Sequence, residues 1–215
     1  MKRRTLDILF SIGGLALAVL LVVLGLVLRS NANFAKHYVH DQLTEQQIVF
    51  TPVAGLSAQE KQSADLVRYA GQPLTTGAQA QAYANDYIAG HLAAVNGGKT
   101  YAQTSNDARA LRAQATAAQQ SNAPNAADLD KQATALEAKV QTLFRGETLR
   151  GLLLTAYGFG IFGDKAMQAS WVCFAAALVL LLASLAGFWH AFRTAKTEAF
   201  APIEPAPIPP GTAVA

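Results

Sequence analysis

The chain has 215 residues, of which 52% are hydrophobic and 14% are charged, with a formal net charge of +3. Soluble domains carry about a quarter charged residues, so the deficit indicates a membrane protein. The charge pattern shows no basic patch of the kind that binds nucleic acid. The single cysteine, Cys173, excludes an intramolecular disulfide, so any domain outside the membrane depends on helix packing.

Two apolar runs contain no Asp, Glu, Lys, Arg or His: residues 8–28 and residues 169–188. A run of about 20 apolar residues matches the hydrocarbon thickness of a bilayer. The sequence therefore predicts transmembrane helices over residues 8–29 and 166–190. The protein is expected to cross the cell membrane twice, with the lipid bilayer as its first partner.

Basic residues flank both runs toward the chain termini: Lys2, Arg3, Arg4, Arg193 and Lys196. Because cytoplasmic flanks of membrane helices are rich in Lys and Arg, we predict cytoplasmic termini over residues 1–7 and 191–215. The loop between the runs is then extracytoplasmic. Trp171 and Trp189 lie 18 residues apart at the two ends of the second run, where interfacial aromatic belts are expected.

The first run also admits an interpretation as a secretory signal peptide. Ser30, Asn31 and Ala32 form a small-x-small cleavage site after a basic start. Against cleavage, the run has 21 apolar residues, which exceeds the roughly 7 to 15 of a signal-peptide core, and Arg29 closes it as a span flank does. We therefore expect the first span to be retained.

Small residues recur at 3–4 spacing in each span, namely Ser11, Gly14, Ala18 and Gly25 in the first and Cys173, Ala176, Ala183 and Gly187 in the second. Small residues on one face let membrane helices approach closely. The pattern predicts that the spans pack on each other as a hairpin or on copies of themselves. Alanine-rich membrane helices also show such stripes by chance.

Residues 30–150 form a predicted extracytoplasmic α-helical domain. Residues 31–45 lack Pro and Gly, so they continue the first helix outward. Residues 47–53 have β-type side chains, but a lone strand needs a partner that the sequence does not offer. We interpret them as an extended linker packed on helices.

Two further helices have start signals in this domain. A capping box at residues 57–60 opens a helix that extends to about residue 69. Thr75 or Thr76 caps the next helix, which runs through residues 78–95 and ends at two glycines.

A helical hairpin is the clearest pattern outside the spans. Apolar or small residues recur at 3–4 spacing in two stretches, namely Tyr101, Thr104, Ala108, Leu111, Ala115 and Ala118, then Leu129, Ala133, Leu136, Val140 and Leu143. A turn at residues 121–125 separates them. The spacing predicts two antiparallel helices with an alanine-rich contact.

Residues 151–165 form a third apolar stretch, which is too short to span a bilayer. Its aromatic residues favour a position in the outer membrane interface, and the alternative is the buried base of the external domain. Beyond Phe200 the chain is rich in proline, so residues 191–215 are predicted to end in an extended cytoplasmic tail.

Candidate chemistry is sparse. His37 and His40 share one helix face, and His91 could complete a metal site with them, but nothing in the sequence brings His91 near the pair. No nucleophile motif is present, and neither apolar run carries an ionisable group of the kind that transport requires. The sequence therefore predicts no cofactor and no catalytic residues.

The chain resembles a family of uncharacterised, alanine-rich, two-span membrane proteins of actinobacteria. The resemblance rests on KRRTLDILFSIGGLALAVLLVVLGLVL, NANFAKHYVHDQL, YAGQPLTTG and TLFRGETLRGLLLTAYGF. Some members are labelled aromatic ring-opening dioxygenases. The ring-opening enzymes used for comparison are soluble metalloenzymes, and this chain has no comparable ligand set, so the resemblance implies topology and packing but no catalytic positions.

Together these features predict an all-α membrane protein, in which two packed spans present an extracytoplasmic helical bundle. The expected function is a non-enzymatic scaffold or accessory subunit of the cell envelope, whose partners are other membrane proteins or copies of itself. A membrane-anchored sensor that acts through the proline-rich tail is the alternative. A metal-dependent envelope enzyme is a third interpretation, which depends on the three histidines.

Overall fold

The computed structural model describes residues 3–193 and shows an all-α protein. Its helices are α1 Arg3–Glu45, α2 Ala64–Tyr69, α3 Gly77–Ala82, α4 Ala89–Val95, α5 Tyr101–Gln120 and α6 Ala126–Arg193. A π-helical turn, Tyr83–Ile88, joins α3 to α4, and short 3-10 turns cover Val53–Gly55 and Glu60–Gln62. The predicted proline-rich tail lies outside the described residues, apart from its first three.

Two of these helices, α1 and α6, are long and apolar and pack against each other. They have 43 and 68 residues, whereas a bilayer span needs about 20. By length and composition both can cross a membrane. The first lies near the N-terminus, where a signal sequence passes the same test.

The chain divides into two compact units. The terminal unit comprises residues 1–30 and 167–215, of which 3–30 and 167–193 are described. The central unit comprises residues 31–166. Both α1 and α6 contribute residues to each unit. Since α1 runs without a break to Glu45, the prediction that residues 31–45 continue the first helix is confirmed.

The core of the central unit draws on every helix except α5. Its buried members are Val39, Leu43, Phe50, Leu56, Leu66, Leu74, Ala80, Ala84, Ile88, Leu92, Leu143 and Leu153. Phe50 is 2% exposed, and its ring lies 5.5 Å from that of Tyr69 and 5.3 Å from that of Tyr83. Burying a side chain of this size contributes about 1.5–3 kcal/mol, so this aromatic contact is a main anchor of the unit.

The extended segment that precedes α2 has a partner, contrary to our prediction. Phe50 donates its N–H to Gln72 at 2.9 Å and accepts from Gly71 at 3.1 Å, and Leu74 donates to Ile48 at 2.8 Å. The two segments form an antiparallel bridge. The sequence does not indicate this partner, because residues 71–74 contain a proline and show no strand pattern. Two 3-10 turns and α2 also separate the two segments in the chain.

The capping box at residues 57–60 forms, but it opens only a single 3-10 turn. The Ser57 N–H donates to Glu60 Oε2 at 2.7 Å, and the Glu60 N–H donates to Ser57 Oγ at 3.2 Å. The predicted single helix to residue 69 is therefore wrong. A new helix, α2, begins after Ser63, whose Oγ accepts the N–H of Leu66 at 3.2 Å.

The next helix starts at Thr76, the second of the two predicted caps. Thr76 forms a capping box with Gln79, and the helical segment continues through the π-turn to Val95. Gly97 and Gly98 follow with φ of +62° and +80°, a left-handed conformation that ends the helix as predicted.

The predicted hairpin is formed by α5 and the first part of α6. Tyr101 lies at 5.7 Å from Phe144 between ring centroids, while Arg112 bonds Asp130 and Glu137, so the two helices run antiparallel. Asp130 thus pairs across the hairpin with Arg112.

Residues 151–165 lie within α6 rather than in a separate segment. One face carries Leu153, which is 3% exposed in the core of the central unit, with Leu154 and Ala156 packed beside it. That face matches the alternative of a buried base. Leu152 and Phe162 are 64% and 74% exposed, so contact of this other face with the membrane interface stays a prediction.

Candidate functional site

The two apolar helix segments of the terminal unit meet along a seam of small residues. On α1, Ser11, Ala18 and Gly25 are buried in it. Gly14 faces the hydroxyl of Ser184, which leaves no room for a Cβ. The structure thus places all four small residues predicted on the first span in the seam.

On α6 the buried seam residues recur every seventh position: Ser170, Ala177, Ser184 and Ala191. Ser170 donates its hydroxyl to the backbone oxygen of Gly25 at 2.8 Å. Cys173, Ala176 and Gly187 are half-buried beside them, whereas Ala183 is exposed. Small residues spaced either three or four apart can line a helix contact, so the sequence did not distinguish Ala183 from Ser184. The prediction named Ala183, but the buried residue of the seam is Ser184.

The two tryptophans are exposed, and each lies under an arginine. Arg29 lies 5.6 Å from the ring centroid of Trp171, and Arg193 lies 4.2 Å from that of Trp189. A guanidinium over an indole face is a favourable cation–π contact. Each tryptophan is therefore paired with the basic residue that flanks its end of the helix pair.

Asp7 and His190 form a side-chain contact that no sequence pattern predicts. Asp7 precedes the first apolar run and His190 follows the second, and their Oδ2 and Nδ1 atoms lie 3.2 Å apart. The residues are far apart in sequence, so only the packing of α1 on α6 reveals the contact.

His37 and His40 both line a cleft of about 450 Å³ in the central unit. The lining comprises Lys36, His37, Val39 and His40 of α1, residues 75–78, and Tyr157, Gly160, Ile161 and Asp164 of α6. We call it the histidine-pair cleft. Lys36 Nζ lies 2.9 Å from Asp164, so the cleft's one carboxylate is already paired. Its volume falls within the range of small-ligand sites.

His91 lies in a different cleft, which has a volume of about 350 Å³ and is here called the Glu60 cleft. Its Nε2 is 3.8 Å from Glu60 Oε1, and its Nδ1 is 2.9 Å from the backbone oxygen of Tyr87. On the same lining, Ser63 donates to Asp86 at 2.6 Å.

Asp86 and His91 both line the Glu60 cleft, and Asp86 lies within the π-turn. Residues five apart in an α-helix differ by about 140° around the axis, and the wider π-turn reduces this angle. No sequence signal marked this turn.

Hydrogen bonding sets the charge of Glu60. Its bonds with the Ser57 hydroxyl and then with the Ser57 N–H hold the pKa of Glu60 below its ordinary value. In the neighbouring core, burial raises the pKa of the Tyr83 phenol, which therefore stays neutral. The carboxylate is thus kept ionised to bind its own capping box, which gives it a structural task.

The three candidate histidines do not converge. His37 and His40 line one cleft and His91 lines the other. Among residues 3–193, no group of three or more His, Cys, Asp or Glu side chains is placed to hold a metal ion. Several polar groups of the two clefts are engaged with protein: Lys36 with Asp164, Ser63 with Asp86, and Glu60 with its capping box.

A polar cluster of four side chains lies between the hairpin helices. Arg112 donates to both Glu137 oxygens, to Asp130 and to Thr134. These bonds raise the pKa of Arg112 and lower that of Glu137. The cluster joins the middle of α5 to the first turns of α6, and one guanidinium serves both carboxylates.

Comparison with known proteins adds no further constraint. No protein-family model, no curated protein and no solved structure matches the chain.

Proposed function

We propose that this protein is a multi-pass protein of the cell membrane that acts as a non-enzymatic scaffold or accessory subunit. One observation carries the proposal. The helices able to cross a membrane also supply the core of the central unit, through Val39 and Leu43 of α1 and Leu143 and Leu153 of α6. The anchor and the presented domain are therefore built from the same two helices, with no linker between them.

The surface of the terminal unit supports its place in a bilayer. Large apolar side chains are exposed along both helices, among them Leu20 at 61%, Val23 at 53%, Val179 at 65% and Leu182 at 58%. Water disfavours such a continuous apolar surface, whereas lipid tails accept it. The buried hydroxyls of Ser11, Ser170 and Ser184 face the partner helix, as polar groups do in membrane helix pairs.

The proposed topology follows from charge. Basic residues lie at the terminal ends of both apolar runs, which favours cytoplasmic termini and a central unit outside the membrane. Single-cysteine variants in a Cys173→Ala background test it in intact cells. A membrane-impermeant maleimide is expected to label Ser121→Cys in the hairpin turn and to spare Thr5→Cys. The reverse pattern contradicts the proposed orientation.

The two clefts support a non-enzymatic role. Some of their ionisable groups make contacts within the protein, such as Lys36 with Asp164 and Glu60 with its capping box. The long hairpin of α5 and α6 offers an extended helical surface instead, of the kind that contacts protein partners. We propose that these partners are other membrane proteins or further copies of this chain.

Native purification in a mild detergent, followed by mass spectrometry, tests the scaffold function. The expected result is a stoichiometric complex with at least one other protein or with further copies. The matched comparison is a variant in which both arms of the hairpin are shortened by equal lengths, because the scaffold proposal expects partner loss when the hairpin is shortened. A monodisperse monomer from the native membrane would count against the proposal.

A further inference from the structure

Exposed aromatic side chains of α1 and α6 form one surface of the central unit. Phe34, Tyr38, Phe159 and Phe162 are 62%, 50%, 39% and 74% exposed, and we call them the aromatic patch. The Tyr38 ring lies 5.8 Å from Phe34 and 5.8 Å from Phe159 between centroids. Four exposed aromatic rings on one surface require a specific environment, because water disfavours a patch of this kind.

Other residues of the same helical stretch pack against protein. Leu153 is buried in the core, and Gly163 packs against Ala32 and Ala35 so closely that an added Cβ would lie 3.0 Å from the Ala35 side chain. This contact puts Phe162 at the level of Phe34 along the two helices. The patch is therefore the outward face of a tightly packed helix pair.

Two members of the patch lie close in sequence to the apolar runs. Phe34 follows Leu28 by six residues, which is about 9 Å of helix. Side chains of an α-helix lean toward its N-terminus, so the Phe34 ring reaches back toward the first apolar run. The polar zone of a bilayer is about 5–7 Å thick on each side, and aromatic side chains are enriched there.

We propose that Phe34 and Phe162, the most exposed members of the aromatic patch, contact the lipid headgroups of the outer leaflet. The inference rests on the proposed membrane topology and names the partner of this surface as the lipid itself. It also joins the two interpretations of residues 151–165, because one face of the stretch forms the base of the central unit while the other touches the interface.

Depth-dependent fluorescence quenching tests the contact. Tryptophan is placed at Phe34→Trp or Phe162→Trp in a chain carrying Trp171→Phe and Trp189→Phe, and the protein is reconstituted into phosphatidylcholine vesicles that contain headgroup-nitroxide lipid. The control is Val67→Trp, a position that is 40% exposed in the central unit and distant in sequence from both apolar runs. Quenching at Phe34→Trp and Phe162→Trp is expected to be several-fold stronger than at Val67→Trp.

A second control separates lipid from protein contact. Aqueous iodide is expected to quench Val67→Trp more strongly than either patch variant. If both patch tryptophans are shielded from iodide and from nitroxide lipid alike, a protein surface covers the patch and the inference is overturned. If both are quenched by iodide only, the patch faces water and the inference is overturned as well.

The outcome also distinguishes this inference from the proposed function. Protein that floats with the vesicles but shows no nitroxide quenching at the patch contradicts the lipid contact alone. Protein that fails to float with the vesicles contradicts both. Because the two patch residues lie on different helices and both are more than half exposed, misfolding of one variant leaves the other to decide.

Discussion

Arg112 of α5 holds Glu137 of α6 through two hydrogen bonds, from Nε to Oε1 at 2.8 Å and from Nη2 to Oε2 at 2.7 Å. The same guanidinium also reaches Asp130 at 2.5 Å through Nη1. A planar fork of donors suits this bidentate geometry, which lysine cannot reproduce. The pair therefore fixes the lengthwise register of the hairpin as well as joining its helices.

Replacement of this arginine is expected to loosen the hairpin. Arg112→Lys keeps the charge but loses the fork, so the unfolding temperature of the central unit should fall, and Arg112→Ala should lower it further. Arg109→Ala is the matched control, because Arg109 bonds Asn106 on its own helix. Thermal circular dichroism in detergent measures the effect. Equal shifts for the three variants would contradict the assigned role.

Glu60 should make stability depend on acid pH. Its folded pKa is lowered from an ordinary value of about 4.5, so its contribution is present above that value and is lost as the pH falls through the folded pKa. Glu60→Gln is expected to reduce stability at neutral pH and to flatten the acid limb of the curve. Urea unfolding at several pH values measures this, with Glu45→Gln at the exposed end of α1 as the control. An unchanged acid limb in Glu60→Gln would refute the prediction.

Two neighbouring glycines distinguish the seam from the surface of α1. A Cβ at Gly14 would collide with the Ser184 hydroxyl, whereas a Cβ at Gly13 would meet nothing within 4 Å. Gly14→Ala is therefore expected to destabilise the helix pair by about 1–3 kcal/mol, as overpacking does. Gly13→Ala should be neutral or slightly stabilising, because alanine favours the helix. Thermal unfolding in detergent compares them, and equal effects would argue against close packing at this position.

Two neighbouring leucines test the two faces of residues 151–165. Leu153→Ala removes a side chain that is 3% exposed in the core, so a loss of about 2–5 kcal/mol in unfolding free energy is expected. Leu152→Ala, at a position that is 64% exposed, should change stability by no more than about 0.5 kcal/mol. Denaturant titration of the purified protein measures both. A larger loss at Leu152 than at Leu153 would contradict the assignment of faces.

The N-terminal span is expected to be retained in the mature protein. Residues 30–32 lie inside the continuous helix α1, and Ala32 is 0% exposed against α6. A peptidase would have to unwind this segment to cut it. Intact-mass analysis of protein purified from membranes should therefore give the uncleaved chain. A mature N-terminus at Asn33 would contradict the two-span topology.

The local elements of this fold could be predicted because their causes are local. Thr76 caps its helix through Gln79, three residues away, and Gly97 ends a helix through its own backbone freedom. The continuation of α1 beyond the apolar run follows from the lack of Pro and Gly in residues 31–45. Each of these signals lies within a single short stretch of chain.

The contacts that join distant segments required the tertiary structure. Packing between elements decides three of them. Phe50 pairs with residues 71–74, and Ser184 rather than Ala183 lies in the seam. His91 lines a different cleft from His37 and His40. The π-turn shows the same dependence, because it changes which side chains share a face without a local sequence signal.

The sequence by itself determined two apolar runs, their basic flanks and the start signals of the short helices, since solvation and capping are properties of nearby residues. Only the tertiary structure decided that the same two helices carry both the apolar runs and the core of the central unit. The core is held by many weak packing contacts, such as those of Val39 and Leu153. Their total energy becomes large only when distant parts of the chain pack together.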